Sequence, residues 1–295
     1  MNTSRAALTS LALLTLLPSV ASAEGFMRTQ TCYRSDPDPS WICDVDEIAK
    51  DVSWLPRTVE YLIDVKGGDD FTSTSAGPPA NIIDAIDAGF SVWSDVSCSE
   101  FSLKNGGVVD VDAEIAANSD CGASNLRICA KDRRNHVVWV EDWQYSRTIY
   151  ALTSTTFSVS TGEISDADIE INDDQWTFAT NMDPNSVDLQ NTIAHEAGHF
   201  IGFDHNDDPT STMYNTASNF ETLKRSLEAL DEAGMCEAYP PLTDAERAAL
   251  EDELRQRAGE DEGCCATTPG EPRRAPLGAA VLALALAFTA RRRRS

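Results

Sequence analysis

The sequence predicts an α+β domain flanked by two ends of different character. Three observations support this fold class. The run RTVEYLIDV at 57–65 alternates apolar and polar residues as a strand does. The run NIIDAIDAGFSVWSDV repeats apolar residues at helical spacing, and two strand-like runs flank a turn at 160–162. The intervening chain, roughly residues 24–240, is long enough for one domain with a sizeable core.

The first 23 residues have the order of a secretory signal peptide. A single basic residue, Arg5, precedes an apolar run that ends at Ala21-Ser22-Ala23. This order predicts cleavage after Ala23 and export from the cell, and an uncleaved anchor is the alternative. Residues 24–53 form a cysteine-bearing segment without a clear pattern, and residues 54–241 are the predicted folded domain.

The elements of the domain follow in chain order. After the strand at 57–65, Pro78-Pro79 precede the first predicted helix, and the Gly-, Asp- and Cys-rich stretch 105–135 predicts a long surface loop. HVVWVEDW at 136–143 is a predicted strand, and a hairpin around Gly162 follows it. A helix is predicted from Ser186 to Gly202, with Ser186 or Asp188 as its cap, and another at 221–234. The charged run 242–263 predicts a solvated helix or spacer.

The composition restricts the partners. The chain has a net charge of −25, which argues against binding to nucleic acid or to an anionic membrane surface. Protein or peptide partners remain, and we expect a monomer.

Eight cysteines in an exported chain predict disulfides. The six in the body are Cys32, Cys43, Cys98, Cys121, Cys129 and Cys236. We expect the local pairs Cys32–Cys43 and Cys121–Cys129, with Cys98–Cys236 as a long-range link, among fifteen combinations that six cysteines allow.

The stretch HEAGHFIGFDH at 195–205 contains three of the four histidines in the chain. Positions i and i+4 lie on one helix face, so His195 and His199 can bind the same metal ion. Gly202 lets the chain turn, and His205 can supply a third ligand. Three imidazoles leave the fourth position of Zn²⁺ to a water molecule, whose pKa the metal lowers. Glu196 would then act as general base for attack on a carbonyl.

The motif and the residues after it resemble those of metzincin metallopeptidases. HEAGHFIGFDH is followed by Met213, in the manner of the zinc signature and Met-turn. Within that clan the chain is most similar to the matrixins, over roughly residues 50–240. The supporting segments are FSVWSDVSCSEFSL, TGEISDADIEINDDQW, STMY and SLEALDEAGMCEAYP.

The resemblance implies a zincin fold and a zinc endopeptidase. The fold would be a twisted five-stranded mixed sheet with three helices, and the zinc cleft would lie under an antiparallel edge strand. That edge corresponds to 151–159, where a peptide would add as another strand, with Ala151, Leu152 and Thr153 as substrate-binding residues. Met213 would form an apolar floor under the single catalytic zinc. The alternative function is a non-catalytic, zinc-binding surface or adhesion protein.

The sequence also departs from the matrixin pattern. No pro-segment cysteine motif precedes the domain, and His136 is the only histidine left for a second, structural zinc. Asn215 stands where the family often has proline. In some other metzincins a tyrosine two residues after the Met moves on and off the zinc. Asn215 holds that position here, so Tyr214 is not given that role. Asp166, Asp168, Asp173 and Asp174 form an acidic run, which predicts either a calcium site or a solvated acidic strand.

The C-terminal segment 264–295 resembles the sorting signals of myxobacterial surface proteins. It contains Cys264-Cys265, an apolar stretch predicted to be helical at Leu277–Phe288, and Arg291–Arg294. The uncharged part would be about 24 Å long as a helix, against a hydrocarbon core of about 30 Å. The resemblance implies a C-terminal anchor in the inner membrane during export, and display at the cell surface. A buried core helix is the alternative.

Overall fold

The computed structural model describes residues 25–32, 49–71, 77–118, 132–181, 183–262 and 279–283. The predicted signal peptide and the terminal arginine cluster lie outside these residues. The same is true of Cys43, Cys121, Cys129, Cys264 and Cys265.

A mixed, mostly parallel sheet organises the domain, as predicted. Its five main strands are β2 (Thr58–Asp64), β3 (Ser102–Val109), β4 (His136–Val140), β5 (Ala151–Ser158) and β6 (Glu163–Asn172). They lie in the order β3-β2-β4-β6-β5, and only the β5–β6 pair among these five is antiparallel. The short strand β1 (Ser53–Trp54) pairs with the start of β6. A separate small ladder joins β7 (Phe178–Ala179) to β8 (Val187–Asp188).

The described residues contain five α-helices: the three expected of the domain, the charged helix predicted at 242–263, and one short helix that was not predicted. They are α1 (Ala80–Ser94), α2 (Val111–Ala117), α3 (Leu189–Phe200), α4 (Ala229–Ala238) and α5 (Asp244–Glu262). The prediction of a loop at 105–135 was wrong for residues 105–117, because β3 extends to Val109 and α2 follows it. The Asp110 side chain caps α2 by accepting a hydrogen bond from the Ala113 amide at 3.0 Å.

The helix predicted at 221–234 begins later than expected. A 3-10 turn at Leu223–Arg225 occupies its first part. The α-helix α4 starts at Ala229, where Glu228 and Asp231 form a reciprocal capping box. The cap therefore decides where this helix begins.

The main core lies between the sheet and the helices α1 and α3. Ile169 and Ile171 of β6 and Phe90 and Trp93 of α1 are almost fully buried in it. Gly89 allows the two helices to approach closely, since a Cβ there would lie 2.6 Å from Cγ2 of Ile193. The Trp93 indole donates to the Ala194 carbonyl at 2.7 Å, which ties α1 to the helix that carries the zinc motif.

A disulfide joins Cys98, just after α1, to Cys236 in α4. The bond links positions 138 residues apart, so it constrains the chain over most of the domain. Cys32 is also disulfide-bonded.

The C-terminal segment differs from its prediction. Ala279–Ala283 form a strand, β9, where a helix was expected, and β9 pairs antiparallel with β5 along Ser154–Ser158. The free edge of β5 supplies backbone hydrogen-bonding groups that favour a strand over a helix here. No helix in the described part of the chain is long and apolar enough to cross a membrane.

Candidate metal centre

The helix α3 carries the first two predicted ligands. Its N-cap is Asp188, whose side chain accepts from the Asn191 amide at 2.9 Å and also pairs with Arg225. Every residue of α3 except Gln190 is buried, because the helix packs between α1 and β5. The side chains of His195 and His199 therefore have fixed directions within the fold.

The three predicted histidines converge. His205 Nε2 lies 3.1 Å from His195 Nε2 and 3.2 Å from His199 Nε2. Three imidazole nitrogens at about 2.0–2.1 Å from a tetrahedral zinc ion would be about 3.3 Å apart, close to the observed separations. In the described part of the chain, these three residues form the only group of three or more metal-ligating side chains with ligand atoms all within 4.8 Å.

Backbone carbonyls hold two of the imidazoles. His195 Nδ1 lies 2.7 Å from the Thr212 carbonyl, and His199 Nδ1 lies 2.8 Å from the Phe203 carbonyl. Because a carbonyl only accepts, both Nδ1 atoms must carry the hydrogen, which leaves the Nε2 lone pairs directed at the centre. A hydrogen on His205 Nε2 could be donated to only one of these two lone pairs. A cation at the centre would instead bind the Nε2 atoms of all three histidines, so the residues fit zinc.

Burial also selects the protonation state that binds metal. Desolvation, the largest effect, lowers the pKa values of His195 and His199, and it lowers the pKa of His205 to about 2. All three imidazoles are therefore neutral at ordinary pH, which is the form that ligates zinc.

Two glycines of the motif have steric roles. Gly202 has φ of +94°, and a Cβ there would lie 2.2 Å from the Val52 carbonyl oxygen, so the turn that delivers His205 requires glycine. At Gly198, a Cβ would lie 2.1 Å from the sulfur of Met213. The fully buried Met213 therefore packs directly against α3.

The Met-turn is anchored by a residue that sequence reasoning missed. Asp231, fully buried in α4, accepts from the Thr212 amide at 2.8 Å and from the Ser211 hydroxyl at 2.5 Å. Thr212 in turn provides the carbonyl that holds His195. Asp231 also belongs to the capping box of α4, but no local pattern marks its contact with the Met-turn, because Ser211 and Thr212 lie about twenty residues away in the chain.

The predicted base lies beside the triad and is buried. Desolvation raises the pKa of Glu196 to about 7, and hydrogen bonding from Thr153 acts in the opposite direction. The Thr153 hydroxyl lies 2.7 Å from Glu196 Oε2. A carboxylate with a pKa near 7 is well suited to accept and return a proton at neutral pH.

The predicted substrate residues lie on β5, next to this carboxylate. Ala151, Leu152 and Thr153 are all almost completely buried. The pairing with β9 starts at Ser154 and does not reach these three positions. On the side of β5 away from β6, these three positions have no strand partner among the described residues.

The acidic run lies on the other side of the sheet. Along β6, Ile169 and Ile171 face the helices, so Asp166, Asp168 and Glu170 face the opposite side. These three acids and His136 of β4 form what we call the acidic face. All four are buried, so the expectation of a solvated strand was wrong at Asp166 and Asp168.

The four aspartates of the run do not form one site. Asp166 and Asp173 are seven residues apart along extended chain, which corresponds to about 23 Å. Asp173 accepts from the Asp69 amide at 2.5 Å instead. A single calcium ion therefore cannot be bound by all four.

The comparisons with known proteins agree with this geometry. Residues 145–240 match the family model described as Matrixin. The matched region contains β5, β6, α3, the histidine triad, the Met-turn and α4. No curated protein matches the chain. The family match and the convergent histidines together support a matrixin-like zinc metallopeptidase domain in this part of the chain.

Proposed function

We propose that the protein is a secreted or surface-displayed zinc endopeptidase that hydrolyses peptide bonds in proteins. The observation that carries the proposal is the convergence of three neutral imidazoles beside a buried glutamate. A structural zinc site usually has four protein ligands, whereas three ligands and an adjacent base are typical of a catalytic site.

The residues of the site have separate roles in the proposed reaction. His195, His199 and His205 would hold the zinc ion, which when bound supplies Lewis-acid polarisation and lowers the pKa of water. Glu196 accepts a proton from the attacking water and passes it to the leaving amine. Met213 packs against Gly198 of α3, and the carbonyl of the preceding Thr212 holds His195 Nδ1.

The peptide would bind along β5 on the side away from β6, before the positions that pair with β9. An extended peptide that adds to Ala151, Leu152 and Thr153 gains backbone hydrogen bonds independent of its sequence. Because Thr153 contacts the base directly, a peptide bound at this edge lies next to the reacting groups.

The test compares two buried glutamates on opposite sides of the sheet. Burial raises the pKa of Glu170 to about 7, as it does for Glu196. In the full chain, Glu196→Gln should retain one equivalent of zinc and reduce peptide cleavage to background. Glu170→Gln should retain both zinc and cleavage. Cleavage by Glu196→Gln at the wild-type rate would contradict the proposed mechanism.

The alternative, a zinc-binding surface or adhesion protein, gives a different result in the same assay. The wild-type chain would bind zinc and cleave no member of a peptide library, with or without a chelator. Glu196 follows the ligand His195 on α3, and burial raises its pKa to about 7, which favours the enzyme.

Export and anchoring remain proposals drawn from the two ends of the chain. We propose cleavage after Ala23, and sorting through Cys264-Cys265 and the segments that follow. Mass spectrometry of the protein recovered from the surface of the producing cells tests both ends. A mature protein that starts at Met1 would contradict export by this signal.

Calcium is the second cation that we propose, with Asp166 and Asp168 as ligands. Asp168 Oδ2 is buried and makes no hydrogen bond within the described residues. Calcium prefers such oxygen ligands. Calcium should raise the unfolding temperature of the wild-type protein and leave that of Asp168→Asn less affected; equal shifts would exclude the site.

A further inference from the structure

Thr153 lies where the predicted peptide edge meets the catalytic helix. Its backbone belongs to β5, and its side chain points towards α3. The hydroxyl oxygen lies 2.7 Å from Glu196 Oε2 and 3.1 Å from the Glu196 carbonyl oxygen. A hydroxyl has one hydrogen to donate, and the shorter distance to a charged acceptor assigns it to Oε2.

The surroundings make this contact strong. Thr153 and Glu196 are only 1 % and 2 % exposed, so bulk water does not compete for the hydrogen bond. Within the described residues, Thr153 is the only residue whose side chain is hydrogen-bonded to the Glu196 carboxylate. Threonine is β-branched and therefore restricted in χ1, which fixes the direction of its hydroxyl.

We propose that Thr153 is a positioning residue for the general base. By holding Oε2, its hydroxyl fixes the rotation of the carboxylate and leaves Oε1 for the reacting water. The inference rests on the proposed peptidase function, and it assigns to Thr153 a role beyond contact with the peptide backbone. It also couples the peptide edge to the base, because one residue belongs to both.

The neighbouring residue provides a matched control. Ser154 also carries a buried hydroxyl on β5, but it points to the opposite side of the sheet and makes no hydrogen bond within the described residues. Removal of its hydroxyl changes the same strand without touching Glu196.

The kinetic test uses the full chain with three variants. Thr153→Val, which keeps the shape and removes the hydroxyl, should lower kcat about tenfold to a hundredfold, because the bond is made to a charged group. KM should change by less than about twofold, and the zinc affinity in a chelator competition should not change. Thr153→Ser should restore kcat to within a few-fold of wild type, and Ser154→Ala should match wild type.

A second measurement does not depend on catalysis. Urea unfolding midpoints of the metal-free wild type, Thr153→Val, Glu196→Gln and the double variant form a double-mutant cycle. Non-additive shifts support the coupling between the two side chains, and additive shifts overturn the proposal. A rise in KM with unchanged kcat would also overturn it. If the wild-type chain cleaves no peptide, the peptidase function fails, while the cycle still decides whether Thr153 holds Glu196.

Discussion

The molecule buries two groups of ionisable side chains on opposite sides of one sheet. The histidine triad lies beside α3, and the acidic face lies on β4 and β6. The acidic face is buried, as are His195 and His199, whereas His205 is partly exposed. The ligand atoms of the two groups are also arranged differently. The Nε2 atoms of His195 and His199 lie within 3.2 Å of His205 Nε2. Asp166, Asp168 and Glu170 are instead alternate residues of β6, with about 7 Å between the Cα atoms of successive members.

The partners of each group explain this difference. The Thr212 and Phe203 carbonyls hold the Nδ1 atoms of His195 and His199, so the Nε2 atoms of both rings are directed towards His205. On the acidic face, Asp168 Oδ1 accepts from the His136 amide at 2.8 Å, and the carboxylate is used for internal structure. Convergent ligand atoms, with hydrogen bonds that orient the ligand side chains, therefore identify a metal site better than the number of acidic residues does.

Burial removes charge in both groups, with opposite consequences for binding. It lowers the pKa values of the triad, which yields neutral imidazoles ready for zinc. It raises the pKa values of Asp166 and Glu170, to about 9 and about 7, which favours protonated acids that bind cations poorly. A proton must leave the acidic face before calcium can bind there.

The largest expected effect separates a histidine of the triad from the histidine of the acidic face. His199→Ala should remove zinc and lower kcat/KM at least about a thousandfold, since the metal supplies several kcal/mol of transition-state stabilisation. His136→Ala should keep zinc and activity, because His136 lies on the other side of the sheet. Equal losses of zinc in the two variants would show that the two groups act as one.

The two groups also differ in how far sequence reasoning could reach. The triad was accessible because i and i+4 ligands, a glycine turn and a third histidine are all local. The Thr153–Glu196 and Asp231–Thr212 contacts join residues 43 and 19 positions apart, and no local pattern reports them.

The acidic face was misjudged for the same reason. Alternate acids on a strand resemble a solvated face, and β6 follows that pattern. Burial there depends on residues far away in the chain. Val111, Val138, Trp143 and Leu152 form a second apolar cluster on this side of the sheet. Only tertiary structure reveals that cover.

A smaller effect concerns the pH dependence of stability. Because the folded-state pKa of Glu170 is raised from 4.5 to about 7, mainly by burial, the folded protein binds more protons than the unfolded chain in this range. The contribution of Glu170 is therefore fully present below about pH 4.5 and is lost as the pH rises towards 7. The loss is about 1 kcal/mol per pH unit.

Urea unfolding at several pH values measures this contribution in metal-free buffer. Both proteins contain Asp168 and Tyr145, whose hydroxyl lies 3.4 Å from Glu170 Oε2. The difference in free energy of unfolding between wild type and Glu170→Gln therefore isolates the Glu170 carboxyl. The free energy of unfolding of wild type should fall relative to that of Glu170→Gln as the pH rises from 4.5 to 7. A difference independent of pH would show that folding does not raise the pKa of Glu170.

The smallest effect tests whether the acidic face is structural. Asp168→Ala leaves the buried His136 amide without its acceptor, which should lower the free energy of unfolding by about 1–3 kcal/mol. Asp168→Asn keeps an oxygen at the same place and should cost less. Zinc content and cleavage should not change in either variant, since neither substitution touches the triad. The urea midpoint and the bound zinc of each variant are measured in parallel. Loss of zinc in Asp168→Ala would mean that the sheet transmits a change from the acidic face to the triad. The two groups would then not be independent.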